Sequence, residues 1–206
     1  MTDKPYVRLI VMAAGLSRRF GSNKLLRPLG GRPMFSHILE LIQAYAGRQA
    51  NTCEVIVVSA WPEILAASSA AGFKTVMNTE SALGLSHTIR LALEAPGAPY
   101  DVSVFFTADQ PFFTAASLEA FMEQVMAHPD QIVCVRDERR TGNPVSFPSD
   151  LKPELMTLTG DAGGKQVMRQ HMDRVLPIYV DAAELRDIDD AGDWAAYVGQ
   201  SDGNRS

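Results

Sequence analysis

A buried strand that runs directly into a small, glycine-bearing loop restricts the fold of this chain more than any other feature of its sequence. Residues 7–12 (VRLIVM) are almost continuously apolar, and Ala13, Ala14 and Gly15 follow without a break. Because these three residues have little or no side chain, an anion can approach backbone N–H groups that a larger residue would shield. The arrangement predicts a phosphate-binding loop at the end of a strand.

The same loop supplies cations but matches neither common phosphate motif. Arg19 and Lys24 are placed to contact the oxygens of a triphosphate, and the loop glycines are Gly15 and Gly21. The Gly-Lys-Ser/Thr of a Walker loop is absent, as is the three-glycine dinucleotide fingerprint. The spacing therefore indicates a different nucleotide-binding loop, in which Lys24 stabilises charge at the phosphorus that is transferred.

Apolar segments alternate with helical patterns along most of the chain. Strands are predicted at 7–12, 54–59, 102–107 and 131–135, and helices at 34–46, 62–71, 85–94 and 115–127. Strands separated by helices form parallel βαβ units, and their continuous apolar character is typical of strands covered on both faces. We therefore expect a Rossmann-like three-layer α/β/α sandwich with a mostly parallel sheet, of the nucleotidyltransferase type.

The length of the chain suits one large core. A chain of 206 residues is long enough for one well-buried α/β domain and short for two. We expect that domain at 1–200, with 201–206 as a frayed tail. After residue 140 the pattern changes to a short strand at 145–147 and helices at 150–157 and 163–171, interpreted as an insertion at 140–172 that faces the active site. A strand at 175–180 and a helix at 193–198 complete the prediction.

Composition excludes several classes of function. The net charge of -5 argues against a nucleic-acid-binding protein, because polyanions need a basic surface. No apolar run approaches the roughly 20 residues of a membrane span, and the first residues lack a signal peptide's apolar core, so we expect a cytoplasmic protein without membrane contact. Cys53 and Cys134 lack metal-binding spacing and are interpreted as reduced thiols, Cys134 in the core.

Two aspartates follow predicted strands, where ligands of open parallel sheets bind. Asp109 comes after the strand at 102–107, and Asp189 comes after the last strand, in the segment Asp-Ile-Asp. Either carboxylate is suited to a hard divalent cation. From position alone, the more common role of such aspartates is to cap a turn or a helix.

The loop resembles that of the MobA-like nucleotidyltransferases: two small residues, Gly, x, Ser, x, Arg, Met, Gly, two or three x and Lys. Phe20 stands at the Met position. Ala-Asp-Gln-Pro at 108–111 is similar to the family's Leu-Ala-Asp-Gln-Pro, whose aspartate coordinates the magnesium that bridges the triphosphate. The resemblance covers about residues 7 to 195 and implies that Asp109 and Asp189 hold Mg²⁺.

The resemblance also implies the nucleotide site. Gly-Leu-Ser at 84–86 matches a family segment near the base and ribose, although Ser86 equally suits an ordinary helix N-cap. His87 departs from the family's run of serines at this point. The implied nucleotide-binding residues are Ala13, Ala14, Gly15, Leu16, Ser17, Gly21, Lys24 and Ser86. The implied catalytic residues are Lys24, Asp109 and Arg19.

A second pair of segments is implied to bind the other substrate. Gly-Asn-Pro at 142–144 corresponds to a Gly-His-Pro segment of similar enzymes, and Gly-Asp at 160–161 matches the start of a Gly-Asp-x-Gly-Ala turn. The second segment equally suits a simple turn between helices. The implied substrate-binding residues are Gly142, Asn143, Pro144, Gly160 and Asp161.

The Ala-Ala-Gly opening of the loop, as opposed to Ala-Gly-Gly, is similar to the branch that transfers CMP to molybdopterin. That branch implies transfer of CMP from CTP to the phosphate of molybdopterin or molybdenum cofactor, with release of pyrophosphate. Three alternatives stay open: a guanylyltransferase using GTP, a nucleotidyltransferase acting on another small phosphate, and a non-catalytic cofactor carrier. The expected partners are the small-molecule substrates and, transiently, a recipient molybdoenzyme or its chaperone.

Overall fold

The computed structural model of this chain describes residues 4–15, 23–49, 51–186 and 188. The strands are β1 Val7–Ala13, β2 Pro28–Leu29, β3 Arg32–Pro33, β4 Cys53–Ser59, β5 Lys74–Met77, β6 Val102–Thr107, β7 Ile132–Arg136, β8 Thr141–Pro148 and β9 Val175–Tyr179. The helices are α1 Met34–Arg48, α2 Pro62–Ala70, α3 Leu85–Glu94, α4 Ala115–Ala127, α5 Lys152–Met156 and α6 Lys165–Gln170. Within the described ranges, every helix is too short or too polar to span a lipid bilayer.

Seven of these strands form one sheet in the order β5-β4-β1-β6-β8-β7-β9. Strands β1, β4, β5 and β6 run parallel, and β9 runs parallel to β7. Strand β8 is antiparallel to both of its neighbours, β6 and β7. Val11 in β1 lies opposite Val57 of β4 and Phe106 of β6, so the carboxyl ends of these three strands meet at one edge.

Alternation along β1 divides the core between the two faces of the sheet. Leu9 and Val11 point to one face, where α1 and α4 pack. Ile10 points to the other face, where α3, α5 and α6 pack through residues such as Ile89 and Val167. The predicted three-layer α/β/α fold with a mostly parallel sheet is therefore confirmed.

The sheet contains two features that the sequence pattern did not indicate. Strand β5, Lys74–Met77, was not predicted because it is a short, largely exposed edge strand without an apolar run. Strand β8 has eight residues rather than the three predicted at 145–147, because Gly142, Asn143 and Pro144 precede the apolar residues on which the prediction was based. The segment interpreted as an insertion thus begins inside the main sheet. The helix predicted at 193–198 and the tail at 201–206 lie outside the described residues.

The two cysteines lie on opposite faces of the sheet. Cys53 belongs to the cluster under α1 and α4, and Cys134 to the cluster under α3, α5 and α6. Both are buried free thiols, and burial raises the pKa of Cys53 to about 11. They are therefore core residues that cannot pair with each other.

A buried ion cluster joins β1, β4 and α3. Arg8, 2% exposed, donates from Nε to Glu54 Oε1 at 2.8 Å and from Nη1 to the carbonyl oxygen of Ala95 at 3.0 Å, just beyond the end of α3. Lys74 Nζ donates to Glu54 Oε2 at 2.7 Å. Burial acts to raise the pKa of Glu54, but the hydrogen bonds from Lys74 and Arg8 outweigh it, so the pKa of this carboxyl is lowered.

Candidate active site

The start of the glycine-bearing loop is fixed to the end of β4. Ser59 Oγ donates to the carbonyl oxygen of Ala13 at 2.9 Å, and Trp61 Nε1 donates to that of Gly15 at 3.4 Å. Among the described residues, a Cβ on Gly15 would meet nothing within 4 Å. Ala13 and Ala14 are buried. The other predicted loop contacts, Leu16, Ser17, Arg19 and Gly21, lie outside the described residues.

Lys24 and Asp109 form an ion pair at the carboxyl edge of the sheet. Lys24 begins a short 3₁₀ turn at Lys24–Leu26, and the Asn23 side chain caps this turn by accepting from the backbone N–H of Leu25. Lys24 Nζ donates to Asp109 Oδ2 at 2.9 Å and to the carbonyl oxygen of Ile188 at 2.9 Å. The Lys24 side chain is 12% exposed and that of Asp109 is 28% exposed. Three separate parts of the sequence therefore meet at one ammonium group.

The C-terminal segment, residues 181–186 and 188, crosses this edge of the sheet. The Glu184 carboxylate accepts from the backbone N–H of Thr114 and from Ser117 Oγ, both at 2.9 Å, at the start of α4. Leu185 and Ile188 are buried in the core. These contacts hold the chain next to Lys24. Asp189, the predicted second metal ligand, lies outside the described residues.

Ser86 is placed differently from the other predicted nucleotide contacts. It is 3% exposed, and its backbone N–H donates to the carbonyl oxygen of Gly160 at 3.0 Å. Gly84, just before it, has a φ of +93°, and a Cβ there would overlap Gly160 and lie 2.8 Å from Asp161 Oδ1. The turn at 160–164 therefore packs against the start of α3 and accepts the hydrogen bond of the Ser86 N–H.

A cavity of 430 Å³ lies on the α3 side of the sheet, below the edge that holds Asp109. Its apolar wall consists of Met12, Leu85, Ile89, Phe105, Val145 and Phe147. Its polar lining includes Thr107, Asn143, Asp161, Lys165, Gln166 and Arg169. A mostly apolar space with a few convergent polar groups is typical of a small-molecule site.

Three of the five predicted substrate-binding residues line the cavity. Gly142, Asn143 and Asp161 line it, whereas Pro144 and Gly160 are not among its lining residues. Pro144 is buried in β8, and Gly160 acts through its carbonyl oxygen on α3. A Cβ on Gly142 would lie 2.9 Å from Leu185 Cδ2, so a larger residue here would displace the Leu185 side chain of the C-terminal segment.

Sequence reasoning missed five polar residues of this cavity: Thr107, Thr141, Lys165, Gln166 and Arg169. Thr107 ends β6 on the same face as Phe105, and Lys165 and Arg169 are one helical turn apart on α6. The i, i+4 spacing of two cations around the buried Val167 and Met168 is a signal that could have indicated a charged face. Nothing in the local sequence shows that this face borders a cavity.

The edge of the sheet fits a hard divalent cation. The Asp109 carboxylate and the Ile188 carbonyl both point oxygens at the Lys24 ammonium, so positive charge is already stabilised between them. The described residues contain no cluster of three or more His, Cys, Asp or Glu side chains that could hold a metal by themselves. Mg²⁺ is usually bound by one or two carboxylates together with substrate phosphates and water, and Asp109 suits such a site.

Known proteins share this fold and part of the sequence. Over 129 residues the chain is 33% identical to the bifunctional protein GlmU of Sinorhizobium medicae, which covers 60% of this chain and 27% of that protein. The structure resembles that of Rv0371c in complex with manganese from Mycobacterium tuberculosis (TM-score 0.75, 23% identity, 94% of this chain and 98% of that chain). It also resembles molybdopterin-guanine dinucleotide biosynthesis protein A from Archaeoglobus fulgidus (TM-score 0.70, 15% identity, 95% of this chain and 99% of that chain).

These relatives differ in what they establish. At identities below 25% the two structures show a shared fold, and the chain spans about a quarter of the length of the GlmU relative. The model of the MobA-like NTP transferase domain, in contrast, matches residues 9–175, which is most of the chain. The resemblance inferred from the loop and from Ala-Asp-Gln-Pro is thereby confirmed, and the chain belongs to the family of proteins with a MobA-like NTP transferase domain.

Proposed function

We propose that this protein transfers CMP from CTP to the terminal phosphate of molybdopterin or molybdenum cofactor and releases pyrophosphate. The observation that supports this most is the Lys24–Asp109 ion pair, 2.9 Å long, at the end of β6, whose residue Thr107 lines a cavity of 430 Å³. A nucleotide at the edge and an acceptor in the cavity would therefore be neighbours. The Ala-Ala-Gly opening of the loop supports CTP as the nucleotide.

The loop would bind the triphosphate. Gly15 has no side chain, no other described residue lies within 4 Å of where its Cβ would be, and Trp61 and Ser59 hold this part of the loop in place. Small residues allow phosphate oxygens to approach the backbone N–H groups. Arg19 and Lys24 would add positive charge around the phosphates.

Asp109 and Asp189 would hold Mg²⁺. When bound, the metal would neutralise charge on the triphosphate and help to orient it. The role of Asp109 in the protein is then twofold, since the same carboxylate holds the Lys24 ammonium at 2.9 Å. Asp189 directly follows Ile188, whose carbonyl oxygen also contacts that ammonium.

Lys24 would stabilise the charge that develops at the α-phosphorus. Its ammonium is held between two oxygens and is only 12% exposed, so its electrostatic effect is less screened by water than that of a surface lysine. The acceptor phosphate supplies the attacking oxygen and pyrophosphate is the leaving group, so no nucleophile from the protein is needed. Catalysis then consists of in-line positioning and charge stabilisation.

The cavity suits the ring system of a pterin. Its apolar wall, with Phe105 and Phe147 in edge-to-face contact at a centroid distance of 6.0 Å, can cover a flat heterocycle. Asn143 and Asp161 can form hydrogen bonds with the polar edge of such a ring. Product release would follow contact with a recipient molybdoenzyme or its chaperone.

Two other nucleotidyltransferase reactions compete with this proposal. The likeness to molybdopterin-guanine dinucleotide biosynthesis protein A favours GTP as the alternative nucleotide. The sequence identity with GlmU favours a different small phosphate as the acceptor. A non-catalytic carrier is disfavoured, because a carrier has no need of Lys24 and Asp109 arranged as an ion pair.

The test is pyrophosphate release by the purified protein with Mg²⁺ and molybdopterin or molybdenum cofactor. CTP, GTP, ATP and UTP are compared in parallel. Release with CTP alone is the expected result. Preference for GTP would show that the protein is a guanylyltransferase. CTP binding without pyrophosphate release would mean that the acceptor is wrong or that the protein is a carrier.

A further inference from the structure

Ser59 has a hydroxyl group whose two hydrogen bonds are fixed in direction by their partners. The residue is 0% exposed at the end of β4, and its Oγ accepts from the backbone N–H of Trp61 at 3.1 Å and donates to the carbonyl oxygen of Ala13 at 2.9 Å. A backbone N–H can only donate, and a carbonyl oxygen can only accept. The Ser59 hydroxyl proton therefore points at Ala13, the last residue of β1.

The end of β4 holds the glycine-bearing loop at two carbonyl oxygens. Ala13 and Ser59 are the last pair in the register of β1 with β4. Trp61 Nε1 donates to the carbonyl oxygen of Gly15 at 3.4 Å. The Ser59 carbonyl oxygen in turn accepts from the backbone N–H of Asn78 at 2.8 Å, just beyond β5. The ends of three strands are thus joined at Ser59.

The direction of the Ala13 carbonyl determines where the next N–H points. The peptide bond from Ala13 to Ala14 is trans, and in a planar trans peptide the C=O and the N–H point in opposite directions. Because the Ala13 carbonyl points toward β4, the Ala14 N–H points away from β4, toward β6. The Met12 carbonyl oxygen lies on that side, where it accepts from the backbone N–H of Ala108 at 3.1 Å. Asp109 follows Ala108, so the Ala14 N–H faces the part of the edge that holds Asp109.

This N–H lacks a partner within the protein as described. Ala14 is only 6% exposed, and its N–H has no hydrogen-bond acceptor among the described residues. Buried backbone N–H groups almost always have a partner, and one without a partner costs free energy comparable to a lost hydrogen bond. A donor in this state, on the same side as the Lys24–Asp109 ion pair, is suited to a hydrogen-bond acceptor of a ligand.

We propose that Ser59 is a positioning residue of the nucleotide site: its hydroxyl holds the Ala13 carbonyl and thereby directs the Ala14 N–H at a hydrogen-bond acceptor of the bound nucleotide. The inference rests on the proposed function for the presence of a nucleotide at this edge. Because Ser59 is buried, it acts through the Ala13–Ala14 peptide. Loss of its hydroxyl should weaken binding of the nucleotide and leave the affinity for molybdopterin unchanged.

Ser59→Ala tests the inference, and Ser68→Ala is its matched control. Ser68 is also 0% exposed, and its Oγ donates to the carbonyl oxygen of Ile64 at 2.7 Å inside α2. Both variants should have a melting temperature lower by about 3 °C or more, because each loses a buried hydrogen bond. Only Ser59→Ala should bind CTP more weakly, by about 10-fold. Binding is measured by calorimetric titration with Mg²⁺, without molybdopterin and well below both melting temperatures.

Two further variants separate positioning from stability. Ser59→Thr keeps the hydroxyl and should bind CTP within about 2-fold of wild type, even where the added methyl group lowers its melting temperature. Trp61→Phe removes the donor to the Gly15 carbonyl from a half-buried side chain and should weaken CTP binding by about 3-fold. In steady-state assays, Ser59→Ala should raise the KM for CTP and leave the KM for molybdopterin unchanged.

Inorganic tripolyphosphate identifies the group that the Ala14 N–H contacts. Equal weakening of tripolyphosphate and CTP binding in Ser59→Ala supports the inference and assigns a phosphate oxygen. Weakening of CTP binding alone also supports it and assigns the base or the ribose.

The outcomes distinguish this inference from the proposed function. Wild-type CTP affinity in Ser59→Ala, or an equal loss of affinity in Ser68→Ala, overturns the inference, and pyrophosphate release by the wild-type protein then leaves the function intact. If Ser59→Ala does not fold, unchanged CTP binding by Trp61→Phe overturns it. The expected loss of CTP affinity without any turnover supports the inference and removes the proposed reaction. A wild-type protein that binds none of CTP, GTP, ATP and UTP overturns both.

Discussion

Lys24 and Asp109 are the two residues that the local sequence predicts and that the proposed chemistry needs most directly. Each was identified from its position after an apolar strand, and the structure places Lys24 Nζ 2.9 Å from Asp109 Oδ2. The ion pair is partly buried, so removing the charge of one partner changes the electrostatics of the edge without creating a cavity in the core. Asp109 therefore offers a clean test of the catalytic assignment.

Asp109→Asn should lower the rate of pyrophosphate release by at least about 100-fold, because the edge loses a charged metal ligand. The asparagine can still accept a hydrogen bond from Lys24, so the melting temperature should change little. Both quantities are measured on the same preparation. The exposed Asp173 provides the control, since Asp173→Asn makes the same chemical change away from this edge. Undiminished activity in Asp109→Asn would remove the metal assignment.

The residues that sequence reasoning missed have a common explanation. Thr107, Lys165 and Arg169 carry no motif, and each has an ordinary local role as a strand or helix residue. Their relation to a ligand follows from the cavity that they share, which forms only when β6 and α6 pack together. By contrast, Asp109 could be identified because its position after a strand is itself informative.

Among the elements, the start of α3 and the turn at 160–164 depend on each other. The Ser86 N–H donates to the Gly160 carbonyl, and Gly84 is close enough to leave no room for a side chain. The nucleotide role inferred for Ser86 stays a prediction, and the structure assigns its N–H a structural partner. This contact closes one side of the cavity.

Gly84→Ala should therefore destabilise the protein more than strain alone explains. Gly84 has a φ of +93° and Gly72 a φ of +85°, but a Cβ on Gly72 would meet nothing within 4 Å. Gly72→Ala reports the cost of the left-handed backbone, about 1–2 kcal/mol, and Gly84→Ala should exceed it by a further 1–3 kcal/mol from overpacking. Urea unfolding measures both. Equal losses in the two variants would contradict the close contact with Gly160.

At the scale of the whole molecule, the C-terminal segment connects the two halves of the site. Leu185 packs on Gly142 at the cavity, and the carbonyl oxygen of Ile188 accepts a hydrogen bond from Lys24 at the carboxyl edge of the sheet. Glu184 fixes the same segment to the start of α4. A substitution at Gly142 should therefore displace the C-terminal segment and lower the stability of the whole fold.

Gly142→Ala should destabilise the fold by about 1–3 kcal/mol, because its Cβ would lie 2.9 Å from Leu185 Cδ2. Gly47, inside α1 and with open space around it, is the matched position. Gly47→Ala should instead stabilise the protein by roughly 0.5–1 kcal/mol, since alanine is the better helix residue. The free energy of unfolding of each variant is the measurement. An unchanged value for Gly142→Ala would argue against tight packing of the C-terminal segment.

The buried ion cluster predicts how stability depends on pH. The folded pKa of Glu54 is lowered, so its ionised form contributes stability that is fully present above the unfolded pKa, about 4.5, and is lost as the pH falls through the folded pKa. Glu54→Gln should lower stability at pH 7 by about 3 kcal/mol and flatten the pH dependence between pH 5 and the acid limit. Glu123→Gln, at an exposed site on α4, is the control. Parallel pH curves for wild type and Glu54→Gln would contradict the assigned shift.

The sequence by itself determined the α/β layers and identified Lys24 and Asp109 as candidates for one site, because periodicity and the position of a residue after a strand are local properties. It did not determine the antiparallel β8, the cavity or the place of Ser86. Lys24 and Ile188 are 164 positions apart, and their contact exists only in the folded chain. The tertiary structure decided these features because each depends on packing between distant segments, which no local pattern encodes.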